Sequence, residues 1–196
     1  MLTQKRAAAP KIYSIHVLPN GAGFAGRIEA GLSYQFAFMP KAASLGAGAS
    51  GKLVLTGDVK VKSPAGRQHT ASEVTATLLA TQGSITGPSP MPRQFSESLK
   101  PPLPAPDGTL PLTDWTGYSG SIAVMYLKLS PLEGRVLGVP ADLSAVQLNA
   151  RLYPTSEIER DLHWLYSALL EATQGEHKNE RLAADYINAI NRILSA

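Results

Sequence analysis

Two glycine-rich stretches match the letters of nucleotide-binding motifs. Gly21-Ala-Gly23-Phe-Ala-Gly26 fits G-x-G-x-x-G, whose mechanism needs a following helix with its N-terminus on the pyrophosphate. Only RIEA separates this stretch from the next glycine, which leaves no room for that helix. The second stretch, 46–52, fits seven positions of a P-loop, but Leu53 stands where Ser or Thr must ligate Mg²⁺. Both patterns favour glycine-rich turns, and we predict no cofactor and no cofactor-binding residue.

Histidine and serine supply two further candidates for chemistry. Glu159 and His163 lie one helical turn apart, a spacing that two metal ligands can use, but no third ligand accompanies them. A salt-bridged helix surface is the favoured interpretation of this pair. Ser119 and Ser121 in GYSGS miss the G-x-S-x-G spacing of a nucleophile elbow by one residue.

Three aspartates, Asp107, Asp114 and Asp142, fall in predicted loops and could meet at one end of a β domain. There they would serve as general acid and base or as calcium ligands. Aspartate is also common in turns for conformational reasons alone, and that interpretation is favoured. Because the chain has no cysteine, disulfides, thiolate nucleophiles and Cys-based zinc sites are excluded. We predict no catalytic residue, no metal site and no enzyme activity.

The charges of the chain are distributed unevenly. Residues 1–67 contain nine Lys and Arg against two acidic residues, whereas 155–196 contain four against seven. The basic N-terminal part can attract anionic partners, or the basic and acidic parts can attract each other. The start of the chain lacks the apolar run of a signal peptide, and no stretch approaches the ~20 apolar residues of a membrane span. The sequence therefore predicts a soluble, cytoplasmic protein with a flexible basic arm at 1–10.

The region from Lys11 to Tyr153 has a hydrophobic period of two, which indicates β-strands. In LVLTGDVKVK (53–62) apolar residues alternate strictly with polar ones. Three other segments are apolar on both faces, as central or sandwiched strands would be: 11–18, 32–39 and 121–129. The remaining predicted strands are 23–29, 74–81, 134–139 and 146–153. About eight short strands predict an antiparallel β-sandwich, or a barrel, over 11–153.

A proline-rich segment, 87–115, interrupts this β region. Residues 88–111 hold eight of the fifteen prolines, which makes the segment stiff and poor in backbone donors. The residues that follow it contain only about three strands, too few for a separate core. We therefore predict a long loop within one β domain.

After Pro154 the period changes to that of a helix. The segment 155–196 predicts a helical hairpin, with a capping box at Ser156 and Glu159 and a stop at Gly175. The second helix, from about His177 to Leu194, is apolar on two adjacent stripes, and one partner helix can cover only one of them. The predicted partner-binding residues are Leu182, Tyr186, Ile187, Ile190, Ile193 and Leu194.

The main functional prediction is a non-catalytic interaction or assembly subunit, which binds a protein partner or forms a homo-oligomer through the hairpin. Nucleic-acid binding through the basic N-terminal half is the first alternative, with Tyr13, Tyr34 and Phe36 available for stacking. A carbohydrate, metal or hydrolytic site at the loop end of the β domain is the second. The predicted nucleic-acid contacts are Lys5, Arg6, Lys11, Lys60, Lys62 and Arg67.

Overall fold

The computed structural model of the 196-residue chain describes residues 11–15, 23–47, 51–83, 122–151, 157–174 and 178–196. The predicted basic arm at 1–10 and the predicted proline-rich loop at 87–115 lie outside these ranges. The fold is mainly antiparallel β, followed by two C-terminal helices. This general class agrees with the prediction from the sequence.

The described residues form seven strands, so the predicted count of eight is not matched. Their bounds are β1 Lys11–Ile15, β2 Phe24–Ala30, β3 Leu32–Leu45, β4 Leu53–Lys62, β5 Gln68–Gly83, β6 Ile122–Leu129 and β7 Gln147–Arg151. The turn Ser63-Pro64-Ala65-Gly66 joins β4 to β5, and the Gly66 N–H donates to the Ser63 carbonyl at 2.9 Å. Gly66 has φ +83°, a left-handed conformation that favours glycine.

The prediction of a strand at 134–139 is wrong, because these residues form a series of turns between β6 and β7. The Val139 N–H donates to the Gly134 carbonyl at 2.8 Å, and Gly138 adopts φ +66°. A Cβ at position 134 would fall on the Ala141 carbonyl oxygen, so the close approach needs glycine. Leu137 and Val139 are buried, which explains why the segment has the hydrophobicity of a strand.

The seven strands form one closed barrel rather than a sandwich of two sheets. Each strand from β1 to β7 pairs antiparallel with the next, and β7 closes the barrel by pairing parallel with β1, from Lys11↔Gln147 to Ile15↔Arg151. A meander with an odd number of strands brings its first and last strands together in the same direction, so this closure must be parallel. Bulges in the β3–β4, β4–β5 and β5–β6 ladders give the long strands the bend that closure requires.

The barrel interior is filled by alternate side chains of the strands. On β4, Leu53, Leu55, Val59 and Val61 are fully buried. β3 alternates in the same way, with a buried inner face and an outer face that is exposed or half-buried. It is a central strand, paired with β2 and β4, so of the two alternatives for 32–39 the central strand is the one observed, and it is not sandwiched on both faces. In a closed barrel only the inner face of a strand is covered by its own sheet.

The two C-terminal helices are α1, Glu157–Gln174, and α2, Glu180–Leu194. Ser156 and Gly175 lie outside the described residues. α2 begins later than predicted because Asn179 is its N-cap, with its side-chain oxygen accepting the Leu182 N–H at 3.0 Å. The Asn179 N–H donates to the Ala172 carbonyl at 2.8 Å, which ties the start of α2 to the last turn of α1.

Asn191 attaches α2 to the barrel. β2 covers β3 only as far as Phe38, so the continuation of β3 to Leu45 has an edge that β2 does not pair. At this edge the Ala43 N–H donates to Asn191 Oδ1 at 2.6 Å, and Asn191 Nδ2 donates to the Ala43 carbonyl at 3.0 Å. The amide thus replaces a neighbouring strand for one residue and fixes which face of α2 points inward.

Candidate functional site

The two nucleotide-like motifs lie at strand ends. Gly23 directly precedes β2, so its glycine pattern leads into a strand and not into a helix. In the P-loop-like stretch the Gly46 N–H donates to the Lys52 carbonyl at 2.8 Å, which closes a connection between β3 and β4. Both stretches lead into strands, whereas both mechanisms need a helix N-terminus at that point.

Most of the aspartates and serines considered for chemistry lie outside the described residues, namely Asp107, Asp114, Ser119 and Ser121. Asp142 is described, and its Oδ1 accepts the Ser144 N–H at 2.9 Å, the bond of a turn. Within the described part of the chain, no three His, Asp or Glu side chains come together to hold a metal ion.

The centre of α1 is buried almost all round. His163 is only 5% exposed, so the expectation that it lies on the helix surface is wrong. Ser167, one turn later, is also buried and donates its hydroxyl to the His163 carbonyl at 3.0 Å. Tyr166 is fully buried, and its hydroxyl has no hydrogen-bond partner among the described residues. Desolvation raises the pKa of Tyr166, which keeps the phenol neutral.

The six residues predicted to bind a partner divide between the core and the surface. Ile190 is fully buried and, with Ala183, lies on the inward face of α2. Tyr186, Ile187, Ile193 and Leu194 are partly buried and pack against the core. Only Leu182 is exposed, at 39%. The inward stripe is therefore the one that contains Ala183 and Ile190, and the surface stripe contains Leu182 and Tyr186.

Trp164 of α1 extends this surface stripe, and the sequence reasoning missed it. Its ring meets that of Tyr186 edge-on, with 5.7 Å between the centroids and 90° between the planes. The indole remains 39% exposed despite this contact. We call Trp164, Leu182 and Tyr186 the hairpin outer face. The preference of protein interfaces for tryptophan and tyrosine is the one signal that could have found it.

The predicted nucleic-acid contacts are only partly described. Lys5 and Arg6 lie outside the described residues, and of Lys11 only the backbone is described. Arg67 is exposed in the β4–β5 turn, where its N–H donates to Ser63 Oγ at 3.1 Å.

Lys60 and Lys62 lie on the outer face of β4, in a shallow groove of about 500 Å³. We call it the barrel groove, and its lining residues are Ala25, Gly26, Arg27, Gln35, Phe36, Ala37, Met39, Lys60, Lys62 and Gln68. The aromatic residues predicted to stack on bases are placed differently. Tyr34 and Phe36 are 5% and 2% exposed inside the barrel, so the expectation that they stack is wrong, and the side chain of Tyr13 is not described.

No family model, curated protein or solved structure matches this chain. The described helices include none that is both long enough and apolar enough to cross a membrane.

Proposed function

We propose that this chain is a non-catalytic interaction and assembly subunit that docks a protein partner on the hairpin outer face. The observation that carries the proposal is the partly exposed ring of Trp164, which meets Tyr186 edge-on. The exposed Leu182 lies one helical turn before Tyr186 on α2. Tryptophan and tyrosine supply much of the binding energy at protein interfaces, because a large rigid surface is buried at little entropic cost.

The attachment of the hairpin supports this proposal. Asn191 holds α2 on β3 through two hydrogen bonds, and the inward faces of both helices belong to the same hydrophobic cluster as the barrel. The hairpin outer face is therefore presented on a rigid support. A surface that is ordered before binding loses little conformational freedom when a partner docks.

Leu182→Glu tests the proposal, with Leu32→Glu as the matched control. Both leucines are exposed, at 39% and 59%, but Leu32 lies at the start of β3, far along the chain from the hairpin. We expect Leu182→Glu to weaken self-association or partner capture at least about tenfold, since it buries a charge in an apolar contact. Leu32→Glu should leave binding unchanged.

Circular dichroism of both variants establishes that the fold is intact. Equal binding by the wild type and the two variants, measured by light scattering and by pull-down with the full chain, would contradict the proposal.

Nucleic-acid binding is the second candidate, because three cationic side chains line the barrel groove. With Tyr34 and Phe36 inside the barrel, such binding would rest on phosphate contacts and would fall steeply with salt. A fluorescent single-stranded oligonucleotide titrated at two salt concentrations tests it. Affinity that does not depend on Lys60 and Lys62 would reject this candidate.

A further inference from the structure

Two β-bulges face each other across β4 at the level of Asp58. On β3, Lys41 is an extra residue, inserted between two residues that pair with adjacent positions of β4. On β5, Ser72 and Glu73 together stand opposite Asp58. β4 itself keeps its alternation of buried and half-buried residues without interruption over 53–61. The central strand is therefore regular, and both of its neighbours change their inward and outward phase at the same level.

The carboxylate of Asp58 binds a side chain from each bulge. Asp58 Oδ2 lies 2.6 Å from Lys41 Nζ, and a second hydrogen bond comes from the Ser72 hydroxyl. The Asp58 side chain is only 15% exposed, so water competes weakly for these charge-assisted bonds. Lys60 on β4 adds a weaker attraction, and the neighbouring acidic residue on β5, Glu73, is exposed. One carboxylate thus connects β3 to β5 across β4.

Each bulge lies two residues before an attachment point of the barrel. Beyond the β3 bulge, the Ala43 N–H and carbonyl bind Asn191 of α2. Beyond the β5 bulge, the Thr75 N–H donates to Ser130 Oγ at 3.1 Å, and the Thr75 carbonyl accepts the Ser130 N–H at 2.7 Å. In a strand these backbone groups point to alternate sides at successive residues. A shift of either bulge by one residue would therefore turn them away from their partners.

The bulge in β5 is strained. Glu73 has φ +58°, a left-handed conformation that is costly for a residue with a side chain. Such a conformation persists only where its surroundings hold it, and the bond from Ser72 to Asp58 is made by the adjacent residue. Loss of that bond therefore favours a rearrangement of the bulge.

We propose that Asp58 is a latch that holds both bulges in register and thereby keeps the hairpin and the β6–β7 connection attached to the barrel. Loss of its negative charge releases both attachments together, because Lys41 and Ser72 bind the same carboxylate. The latch acts whether or not the hairpin outer face binds a partner.

The latch is closed at neutral pH and opens in acid. The hydrogen bond from Lys41 is the main reason that the pKa of Asp58 lies below its ordinary value of 3.8. The attachment that depends on the charge is therefore fully present above 3.8 and is lost as pH falls through the lower folded value.

Hydrogen exchange of the full chain at the Ala43 and Thr75 amides measures the state of the latch. The amides of β7 serve as the reference, because they report unfolding of the barrel as a whole. We expect Asp58→Ala to lower the protection of Ala43 and Thr75 at least about tenfold relative to this reference.

Glu29→Ala is the matched control. Glu29 also accepts a hydrogen bond from a serine hydroxyl of the neighbouring strand, with 2.7 Å between Ser33 Oγ and Glu29 Oε1. This pair lies between β2 and β3, where the register is regular. Its removal should leave the protection of Ala43 and Thr75 unchanged.

Single-sided variants separate the two halves of the latch while keeping Asp58. Lys41→Ala should lower the protection of Ala43 alone, and Ser72→Ala that of Thr75 alone, since each removes one of the two bonds. Both changes replace exposed side chains, so they test the latch even if Asp58→Ala does not fold.

The pH dependence gives a further arm. In the wild type the protection of Ala43 and Thr75, relative to β7, should fall as pH drops below 3.8. Asp58→Asn carries no charge there, so its relative protection should be low at every pH.

Three results would overturn the latch. One is equal protection of Ala43 and Thr75 in Asp58→Ala and Glu29→Ala. Another is an equal loss at β7, which would mean that the barrel unfolds as a whole. The third is a loss at both amides in Lys41→Ala or in Ser72→Ala, which would show that the two bulges do not depend on separate bonds to Asp58.

Discussion

Replacement of Asn191 by leucine tests how the hairpin is attached to the barrel. The change removes two hydrogen bonds to one backbone residue, of 2.6 and 3.0 Å, and leaves the N–H and carbonyl of Ala43 unpaired. Ala43 is 5% exposed, so water has little access to replace them. Each unpaired buried group costs about 1–3 kcal/mol, so for the two groups we expect the free energy of unfolding to fall by about 2–6 kcal/mol.

Urea unfolding of the full chain measures this loss, and hydrogen exchange at the Ala43 amide localises it. Asn188→Leu is the matched control, because Asn188 lies on the same helix and is exposed. It should change stability by no more than about 0.5 kcal/mol. A similar small change in both variants, or an unchanged exchange rate at Ala43, would refute the assigned role of Asn191.

Three further predictions concern the interior and the bulged strands. Gly57→Ala should destabilise the chain by about 1–3 kcal/mol in urea unfolding, because a Cβ there would fall on the Met39 carbonyl oxygen; unchanged stability would contradict so close an approach. Tyr166→Phe should raise the melting temperature, since it removes a buried hydroxyl without a described partner, and a fall would show that the hydroxyl is bonded. Lys41→Ala should raise the pKa of Asp58, which carbon-13 NMR measures directly. The stability that comes from a lowered carboxyl pKa is present above the ordinary value of 3.8 and is lost as pH falls through the folded value. The free energies of unfolding of the wild type and the variant should therefore converge in acid. An unchanged Asp58 titration would reject the ion pair.

The strands were predictable where their two faces differ in polarity. The sequence prediction for 53–62 coincides with β4, because strict alternation leaves one face for the interior and one for solvent. Residues 134–139 were predicted to form a strand because they are apolar, and that prediction is wrong. Their apolar side chains are buried by a loop whose shape depends on Gly134 and Gly138, and a short apolar run does not distinguish these cases.

Closure of the sheet could not be predicted from local pattern. A strand with one buried face has the same alternation in a sandwich and in a barrel. What decides between them here is the pairing of β1 with β7, in which Lys11 meets Gln147, residues that are distant in the chain. The bulge after Pro40, which helps the long strand bend, has no comparable hydrophobic signal.

The sequence predicted two adjacent apolar stripes on α2 but not which of them faces the core, and partner binding by either stripe stays a prediction. Hydrophobicity could not show which of the two apolar stripes of α2 faces the core, since both contain leucine or isoleucine. Asn191 decides the rotation of the helix by bonding to Ala43, which turns Ile190 inward and leaves Leu182 outside. Trp164 joins the hairpin outer face through its contact with Tyr186. This contact is between two helices, so the hydrophobic period of either helix alone does not reveal it.

The fluorescence of Trp164 is the most direct measure of whether the hairpin outer face docks a partner. The chain contains two tryptophans, so Trp115→Phe leaves the partly exposed indole of Trp164 as the only such reporter. As protein concentration rises through the range in which light scattering detects assembly, the account predicts a blue shift of the emission that follows the increase in mass. An increase in mass with unchanged Trp164 emission would contradict it, because the chains would then be associating through a surface other than the hairpin outer face.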